Sequence, residues 1–255
     1  MTPDLALPSA LLEALGRTRH LVVLTGAGTS AESGVPVFRG AGGLWEGFRP
    51  EDLATPEAFA RDPVRVWRWY RWRLERVQAA EPHAGHRALA RLEASNRLRA
   101  CTLVTQNVDG LHQRAGSRLV LELHGNITRS RCTSGCGVAR PAETVDPERA
   151  ECPCGSGMLR PDVVWFGESL DPGVLGQASL RIEEADMVWV VGTSALVHPA
   201  AGLPGIALQR GIPVVEVNPE RTPLSGAVPY SLRRTAAEGV PALVEGILGP
   251  RTNSF

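Results

Sequence analysis

Five short clusters of small and polar residues could together bind a nucleotide and move a proton. They comprise residues 25–30, 105–109, 124–126, 192–194 and 218–220. His124 is a candidate catalytic base, because an imidazole titrates near neutral pH. Asn107 could orient a water or hydroxyl without ionising, and Asp109 could accept a hydrogen bond from an amide. Any one cluster could be a turn or helix cap, but five are hard to interpret as turns alone.

The first cluster is rich in glycine. Gly26, Gly28 and Gly34 lie between an apolar run and a predicted helix. Glycine there lets the backbone approach a pyrophosphate, and the N-terminus of the helix then holds the negative charge. The spacing differs from the usual dinucleotide fingerprint because the third glycine comes late, and such a turn can also be purely structural. Ser30 and Asn218 add hydrogen-bonding groups that suit ribose and phosphate.

Each cluster follows a short apolar run, and the runs lie at 21–24, around 103–104, and at 119–123, 187–191 and 214–217. They are continuous rather than alternating, which is typical of strands covered on both faces. Helix-like segments separate them at 82–95, 183–186 and 199–210. This alternation predicts an α/β domain with a doubly wound, parallel, Rossmann-like sheet. The strand ends would bring the clusters to one crevice, where such sheets bind ligands.

Two stretches interrupt the alternation. Residues 41–80 carry no strand pattern but hold a helix rich in Trp and Arg, and residues 129–158 hold four of the five cysteines. We interpret them as a helical module and a zinc-binding module that form an inserted small domain. The Rossmann-like domain would then comprise residues 1–40, 81–128 and 159–255.

The clustered cysteines are Cys132, Cys136, Cys152 and Cys154. Four soft ligands match a tetrahedral zinc site, and four thiolates would close it, so its role would be structural. The spacing, Cys-x-x-x-Cys and Cys-x-Cys, departs from the commoner pair of Cys-x-x-Cys motifs, so one ligand could be strained or lost. Disulfides and a metal-free loop are the alternatives, and a reducing compartment favours zinc.

The composition argues against several classes of protein. The formal net charge is zero, so no global field recruits nucleic acid or an anionic membrane. No apolar run approaches the roughly 20 residues of a membrane span. The N-terminus lacks the basic segment of a signal peptide. We therefore expect a cytoplasmic monomer that binds neither nucleic acid nor membranes.

Six segments, 26–40, 105–112, 123–126, 160–168, 192–194 and 217–218, follow one another in the order and with the residues typical of one family. They resemble the sirtuins, which are NAD-dependent protein deacylases. The resemblance implies that NAD lies across the crevice with its nicotinamide beside Asp109. Val37 and Gly40 depart from the residues most common in the family, which bears on subclass more than on activity. The residues assigned to NAD are Gly26, Ala27, Gly28, Thr29, Ser30, Glu32, Phe38, Arg39, Trp45, Gln106, Asn107, Asp109, Gly192, Thr193, Ser194, Asn218, Pro219, Glu220 and Ala236.

The resemblance also implies a reaction. The acyl oxygen of an acylated lysine would attack the ribose as nicotinamide leaves, and His124 would act as base on the ribose hydroxyls. The products would be lysine, nicotinamide and O-acyl-ADP-ribose. Residues 164–168 resemble the strand that pairs with the substrate backbone, which assigns Val164, Phe166, Gly167 and Glu168 to the substrate. The alternatives are transfer of ADP-ribose to a protein from the same site and a non-catalytic NAD-binding module.

A helix predicted at 62–78, which Asp62 can cap, bears on which acyl group is removed. Arg73 falls on its apolar arc, three residues from Tyr70 and on the same face. This arginine could cover the core with the aliphatic part of its side chain. Alternatively, its guanidinium could bind a carboxylate in an apolar pocket through two hydrogen bonds. Tyr-x-x-Arg here resembles the class III sirtuin subgroup that removes succinyl and malonyl groups, and Ala54 would leave room for the longer chain. We favour that interpretation, with acetyl-lysine also accepted.

Overall fold

The strands of the chain form two sheets. The computed structural model describes residues 6–36, 49–194 and 196–249. Its strands are β1 (His20–Thr25), β2 (Ala100–Thr105), β3 (Val120–Glu122), β4 (Gly125–Cys132), β5 (Ala139–Pro141), β6 (Leu159–Val163), β7 (Met187–Val191), β8 (Val214–Val217) and β9 (Tyr230–Leu232). A six-stranded sheet has the order β3-β2-β1-β7-β8-β9, and a three-stranded sheet has the order β5-β4-β6.

The larger sheet confirms the predicted Rossmann-like fold. All its described strand pairs are parallel, and its first five strands in this order are the five predicted apolar runs. Strand β7 is buried at every position, as is β8, which is why these runs lack alternation. The carboxyl ends of the strands lie at one edge, so the five polar clusters leave the sheet together.

Helices cover both faces of this sheet and fill the smaller unit. They are α1 (Ser9–Arg17), α2 (Pro50–Leu53), α3 (Pro56–Arg61), α4 (Pro63–Ala79), α5 (Ala84–Ala94), α6 (Leu111–Arg114), α7 (Pro172–Glu183), α8 (Leu203–Gln209) and α9 (Ala236–Leu248). Helices α1, α5 and α9 pack on one face of the parallel sheet, and α7 and α8 pack on the other. No helix in the described parts of the chain is long and apolar enough to cross a membrane.

One prediction about a helix is wrong. The helix before β7 is Pro172–Glu183 instead of 183–186. Asp171 caps its start by accepting from the N–H groups of Gly173 and Val174 at 2.7 and 3.1 Å. After Gly26 the chain makes two short 3-10 turns, Ala27–Thr29 and Ala31–Ser33. The helix predicted after Gly34 would begin outside the described residues, so it stays a prediction.

The antiparallel sheet packs against α2, α3 and α4 in a second hydrophobic core. Strand β4 crosses the predicted domain boundary at residue 128, and β6 lies in a range assigned to the large domain. The small sheet thus uses residues from both predicted domains, because pairing of β4 with β6 joins the two edges of the cysteine-containing insertion. The division into modules stays a prediction.

Helix α4 places the aromatic residues of the smaller core. Asp62 caps it as expected, accepting from the Arg65 N–H at 2.9 Å. Its buried face contains Val66, Trp67, Trp69, Tyr70, Arg73, Leu74 and Val77. The Trp67 indole donates to the Leu159 carbonyl at 2.8 Å, which fixes the helix against β6.

Candidate active site

A cleft of about 670 Å³ runs along the carboxyl ends of the parallel strands. All five predicted clusters contribute to it, since the loops that follow β1, β2, β3, β7 and β8 converge there. The predicted residues that line it are Gly26, Ala27, Gly28, Glu32, Gln106, Asn107, His124, Gly192, Thr193, Ser194, Asn218, Pro219 and Glu220. Its lining combines amide, hydroxyl and imidazole groups with apolar residues such as Leu196 and Val197, which suits a ligand with both polar and apolar parts.

The glycines serve first to let two loops touch. A Cβ at Gly28 would lie 2.8 Å from the Gly192 carbonyl oxygen, and a Cβ at Gly192 would collide with the Thr29 nitrogen. Gly192 also has a φ of 59°, which only glycine adopts readily. The Gly28 N–H donates to the Gly192 carbonyl at 2.8 Å. These glycines therefore have a structural role, and their approach to a pyrophosphate stays a prediction.

Asn107 is held at the centre of the cleft by a network of hydrogen bonds. Its amide donates to the Gly26 carbonyl at 3.0 Å and to Ser30 Oγ at 3.1 Å. Its backbone N–H donates to Thr105 Oγ1 at 3.0 Å. Because both amide hydrogens are used, the side-chain oxygen is the group that Asn107 can present to a hydroxyl. Gln106 donates to Thr193 Oγ1 at 3.2 Å.

His124 is arranged as a neutral base. Its Nδ1 lies 2.9 Å from the Gln106 carbonyl oxygen. A carbonyl oxygen can only accept, so Nδ1 carries the hydrogen and Nε2 keeps its lone pair. Burial lowers the pKa of His124, against the opposing effect of the Gln106 hydrogen bond. The imidazole that lines the cleft is therefore uncharged at neutral pH and ready to accept a proton.

A small cavity adjoins the cleft and brings Asp109 near Arg73. Ala27 and Asn107 line both spaces, and Ser30, Asp109 and Arg73 line the cavity. Asp109 is buried and its Oδ1 accepts from the Leu111 N–H at 2.9 Å. Burial raises the pKa of Asp109, and the Leu111 hydrogen bond opposes the rise. A carboxyl in this position can accept a hydrogen bond from an amide ligand.

The opposite end of the cleft is held by Asn218 and Glu32. The Asn218 amide donates to the Thr193 carbonyl at 3.0 Å, which joins the loops after β7 and β8. Glu32 accepts from the Ala237 N–H at 2.9 Å and so stabilises the first turn of α9. Ala236 is buried beside it. The predicted contacts of Glu32 and Ala236 with NAD stay predictions, and the structure adds a structural role for Glu32.

Thr29 differs from the other predicted cofactor residues because its side chain faces the sheet. Its hydroxyl donates to the Val191 carbonyl at 2.9 Å, and the residue is buried. Thr29 thus stabilises the contact between the loops after β1 and β7. Phe38, Arg39 and Trp45, together with Val37 and Gly40, lie outside the described residues.

Some cleft residues are missing from the sequence prediction, namely Ala31, Leu196, Val197, Arg221, Thr222, Pro223 and Thr235. Three of them directly continue the cluster at 218–220, so extending that cluster along the chain would find them. Leu196 and Val197 are apolar and exposed, and neither their type nor their spacing signals a site. Only the tertiary structure places them at the cleft.

The four clustered cysteines fit a zinc ion. Their sulfur atoms lie within 4.8 Å of one another, and Cys132–Cys154 and Cys136–Cys152 are separated by 3.7 Å. An ion with Zn–S bonds of about 2.3 Å in tetrahedral geometry would hold its sulfurs about 3.8 Å apart. All four are free thiols here, so the structure does not support disulfides. The four sulfur atoms therefore surround one point in spite of the unusual sequence spacing, and these residues would hold the metal.

Arg73, which lines the small cavity, belongs to a cluster of buried side chains that we call the aromatic wall, namely Phe59, Trp69, Tyr70, Arg73 and Trp165. Phe59 and Trp165 have ring centroids 5.2 Å apart, and Trp69 meets Tyr70 edge to face at 4.8 Å. The Arg73 guanidinium lies 4.8 Å from the Trp69 ring and 5.2 Å from the Tyr70 ring. Arg73 is only 8% exposed, so its charged group does not extend into solvent. Ala54 belongs to the same core.

The segment 164–168 is not a strand in this structure, so this prediction is wrong. It is a turn in which Gly167 has a φ of 86°. The Val164 N–H donates to the His124 carbonyl and the Phe166 N–H donates to the Ala54 carbonyl, both at 2.9 Å. Glu168 forms an ion pair with Arg160. The assignment of Val164, Phe166, Gly167 and Glu168 to substrate binding stays a prediction.

The amino-acid sequence of the chain is similar to that of known proteins over most of its length. The sequence profile of the Sir2 family matches residues 26–199. The NAD-dependent protein deacylase 1 of Archaeoglobus fulgidus is 51% identical, over 93% of this chain and 96% of that protein. The NAD-dependent protein deacylase of Thermus thermophilus is 50% identical, over 90% and 91%.

Solved structures of this family superpose on the chain over nearly its whole length. A complex of a Sir2 homologue with NAD has a TM-score of 0.87 at 48% identity, covering 95% of this chain and 94% of the other. A complex of Sir2 with a p53 peptide and NAD has a TM-score of 0.81 at 32% identity, covering 93% and 97%. The match extends over the parallel sheet and the smaller unit alike.

Proposed function

The chain belongs to the Sir2 family, and on that premise we propose that it is an NAD-dependent protein-lysine deacylase that removes succinyl and malonyl groups in addition to acetyl. The observation that carries the reaction is the orientation of His124. Its Nδ1–H is committed to the Gln106 carbonyl, which leaves Nε2 as a base inside the cleft. The relatives named above are deacylases, which supports this reaction over transfer of ADP-ribose to a protein.

NAD, when bound, supplies the ribose carbon and hydroxyls to which the acyl group is transferred. Asn107 would orient a ribose hydroxyl with its side-chain oxygen, because both amide hydrogens are already bonded within the protein. His124 Nε2 would accept the proton of that hydroxyl. Asp109 would accept from the carboxamide of nicotinamide in the small cavity. The protein thus contributes mainly fixed geometry and one proton acceptor.

The proposed choice of acyl group depends on Arg73. Its guanidinium is buried among aromatic rings and lines a cavity that shares Ala27 and Asn107 with the cleft. An arginine in such a place binds a carboxylate through two parallel hydrogen bonds. Burial lowers the pKa of Arg73, so a negatively charged ligand compensates an existing cost of desolvation. A terminal carboxylate on the acyl chain meets this requirement.

The test uses the purified protein with NAD and one peptide carrying acetyl-, succinyl- or malonyl-lysine. We expect all three peptides to release nicotinamide and to give an O-acyl-ADP-ribose of the corresponding mass. The chain contains no lysine, so every lysine-bound acyl group in the assay belongs to the peptide. ADP-ribosylated protein without O-acyl-ADP-ribose would contradict the proposal.

A further inference from the structure

The indole of Trp165 is fixed on several sides within the aromatic wall. Its backbone N–H donates to Glu168 Oε2 at 2.8 Å. The Arg160 guanidinium lies 3.3 Å from the centre of its ring and is itself held by Glu168 at 2.5 and 2.9 Å. Phe59 packs against the ring, and Trp165 is 3% exposed. The direction of the indole N–H is therefore set by the fold.

That N–H donates to the Tyr70 hydroxyl at 2.9 Å. An indole can only donate, so the phenol oxygen accepts from Trp165, and the phenol's own hydrogen is left to be donated to another group. The Arg73 guanidinium, which also can only donate, lies beside the same ring at 5.2 Å from its centre. Burial raises the pKa of Tyr70, so this hydrogen is present at neutral pH.

We propose that Trp165 is a positioning residue that determines acyl specificity, because it forces Tyr70 to act as a donor toward the acyl chain. Tyr70 and Arg73 then present only hydrogen-bond donors. A terminal carboxylate accepts from both, whereas the NH₂ group of a terminal amide would face a donor and leave a buried group unpaired. This inference rests on the proposed function and extends it. The aromatic wall selects a carboxylate not only over the shorter acetyl group but also over the amide of the same size.

The experiment compares three versions of one peptide, carrying succinyl-lysine, the neutral amide of succinyl-lysine, and acetyl-lysine. Trp165→Phe keeps an aromatic ring but removes the donor to Tyr70. We expect the ratio of kcat/KM for succinyl over its amide to fall about tenfold, which corresponds to about 1.4 kcal/mol. The ratio for succinyl over acetyl should fall with it.

Trp67→Phe is the matched control. Trp67 lies in the same core and its indole also donates one hydrogen bond, but to the Leu159 carbonyl instead of Tyr70. Both variants lose one indole N–H, so their thermal unfolding midpoints report the shared structural cost. Only Trp165→Phe should change the specificity ratios.

A double-mutant cycle with Tyr70→Phe tests whether Trp165 acts through the phenol. In the Tyr70→Phe background there is no hydroxyl to orient, so Trp165→Phe should leave both ratios within about twofold of the single variant. An equal tenfold fall in that background, or an equal fall in Trp67→Phe, would overturn the inference.

The two proposals fail in different ways. A wild-type protein that prefers succinyl over acetyl, together with unchanged ratios in Trp165→Phe, overturns only the role of Trp165. A wild-type protein that does not prefer succinyl over acetyl removes the proposed acyl preference and this inference with it.

Discussion

The cofactor cleft and the aromatic wall are built in different ways. The cleft is formed by five loops at one sheet edge, where side chains such as Asn107 are bonded to backbone of other loops. The wall is formed by side chains from three segments, α3, α4 and the turn at 164–168, and the contacts between these segments are made by single side chains. The cleft therefore depends on the backbone of the whole sheet, and the wall depends on a few replaceable groups.

This difference assigns different tasks to the two regions. In the proposed function, His124 and Asn107 act where every acyl group reacts, so their loss should affect all substrates alike. Tyr70, Arg73 and Trp165 would lie farther along the acyl chain, so their loss should change the choice among substrates. A change in one region that produces the effect expected of the other would break the comparison.

The largest effect is expected for His124→Ala. Removing the base should lower kcat about 10³-fold for acetyl and succinyl peptides alike, since general bases contribute roughly 10²–10⁴-fold. Single-turnover measurements of O-acyl-ADP-ribose with both peptides check this. His20→Ala is the matched control, because His20 begins β1 and lies at the opposite end of that strand. A loss confined to one acyl group would contradict the shared role of the cleft.

Removal of zinc is expected to have the second largest effect. Purified protein should contain one zinc ion per chain, and its removal should lower the thermal midpoint by about 10 °C, corresponding to about 3 kcal/mol or more. The cysteines lie at the end of the small antiparallel sheet, so the aromatic wall should loosen before the parallel sheet does. Elemental analysis and hydrogen exchange check both statements. Metal-free protein of full stability and activity would refute the structural role of the site.

Arg73→Met should have the next largest effect and should act on the choice of substrate. Removing a buried partner of a charged ligand costs about 2–5 kcal/mol, so kcat/KM for the succinyl peptide should fall about 100-fold. The acetyl peptide should lose much less. Arg76→Met is the control, because Arg76 lines the same small cavity but stacks on Trp72 instead of the aromatic wall. Equal losses on both peptides would show that Arg73 serves the fold and not the acyl group.

The smallest effect concerns pH. Burial lowers the pKa of His124 below its ordinary 6.5, and the base acts in its neutral form. Activity should therefore persist as the pH falls to 6.5 and decline only below it. Profiles of kcat/KM for acetyl and succinyl peptides should share this decline, because it belongs to the cleft. If the same decline at low pH remained in the residual activity of His124→Ala, the group that titrates would be Asp109 instead.

The two regions also differ in how far the sequence predicts them. Continuous apolar runs identify the strands of the parallel sheet because both faces are buried, and that alone brings His124, Asn107 and Gly192 to one edge. Strand β9 is missed because Tyr230, Ser231 and Leu232 are only partly buried. The small sheet is missed because β4 mixes buried and exposed positions across a bulge.

The aromatic wall could be predicted only in part. Helical spacing places Arg73 beside Tyr70, because both lie on one segment. The bond from Trp165 to Tyr70 joins residues from two distant segments, and no periodicity in either segment signals it. The role of Glu168 is hidden for the same reason, because its partner Arg160 belongs to β6 and its effect is to hold Trp165 in place.

The division of tasks is tested most directly by competition between the acetyl and succinyl peptides at equal concentration in one reaction with the wild-type protein. The initial ratio of the two O-acyl-ADP-ribose products equals the ratio of the two kcat/KM values. The proposed division of tasks between cleft and aromatic wall predicts at least about tenfold more succinyl product, because Arg73 and the Tyr70 hydroxyl would both donate to the terminal carboxylate. Equal amounts, or an excess of the acetyl product, would contradict it.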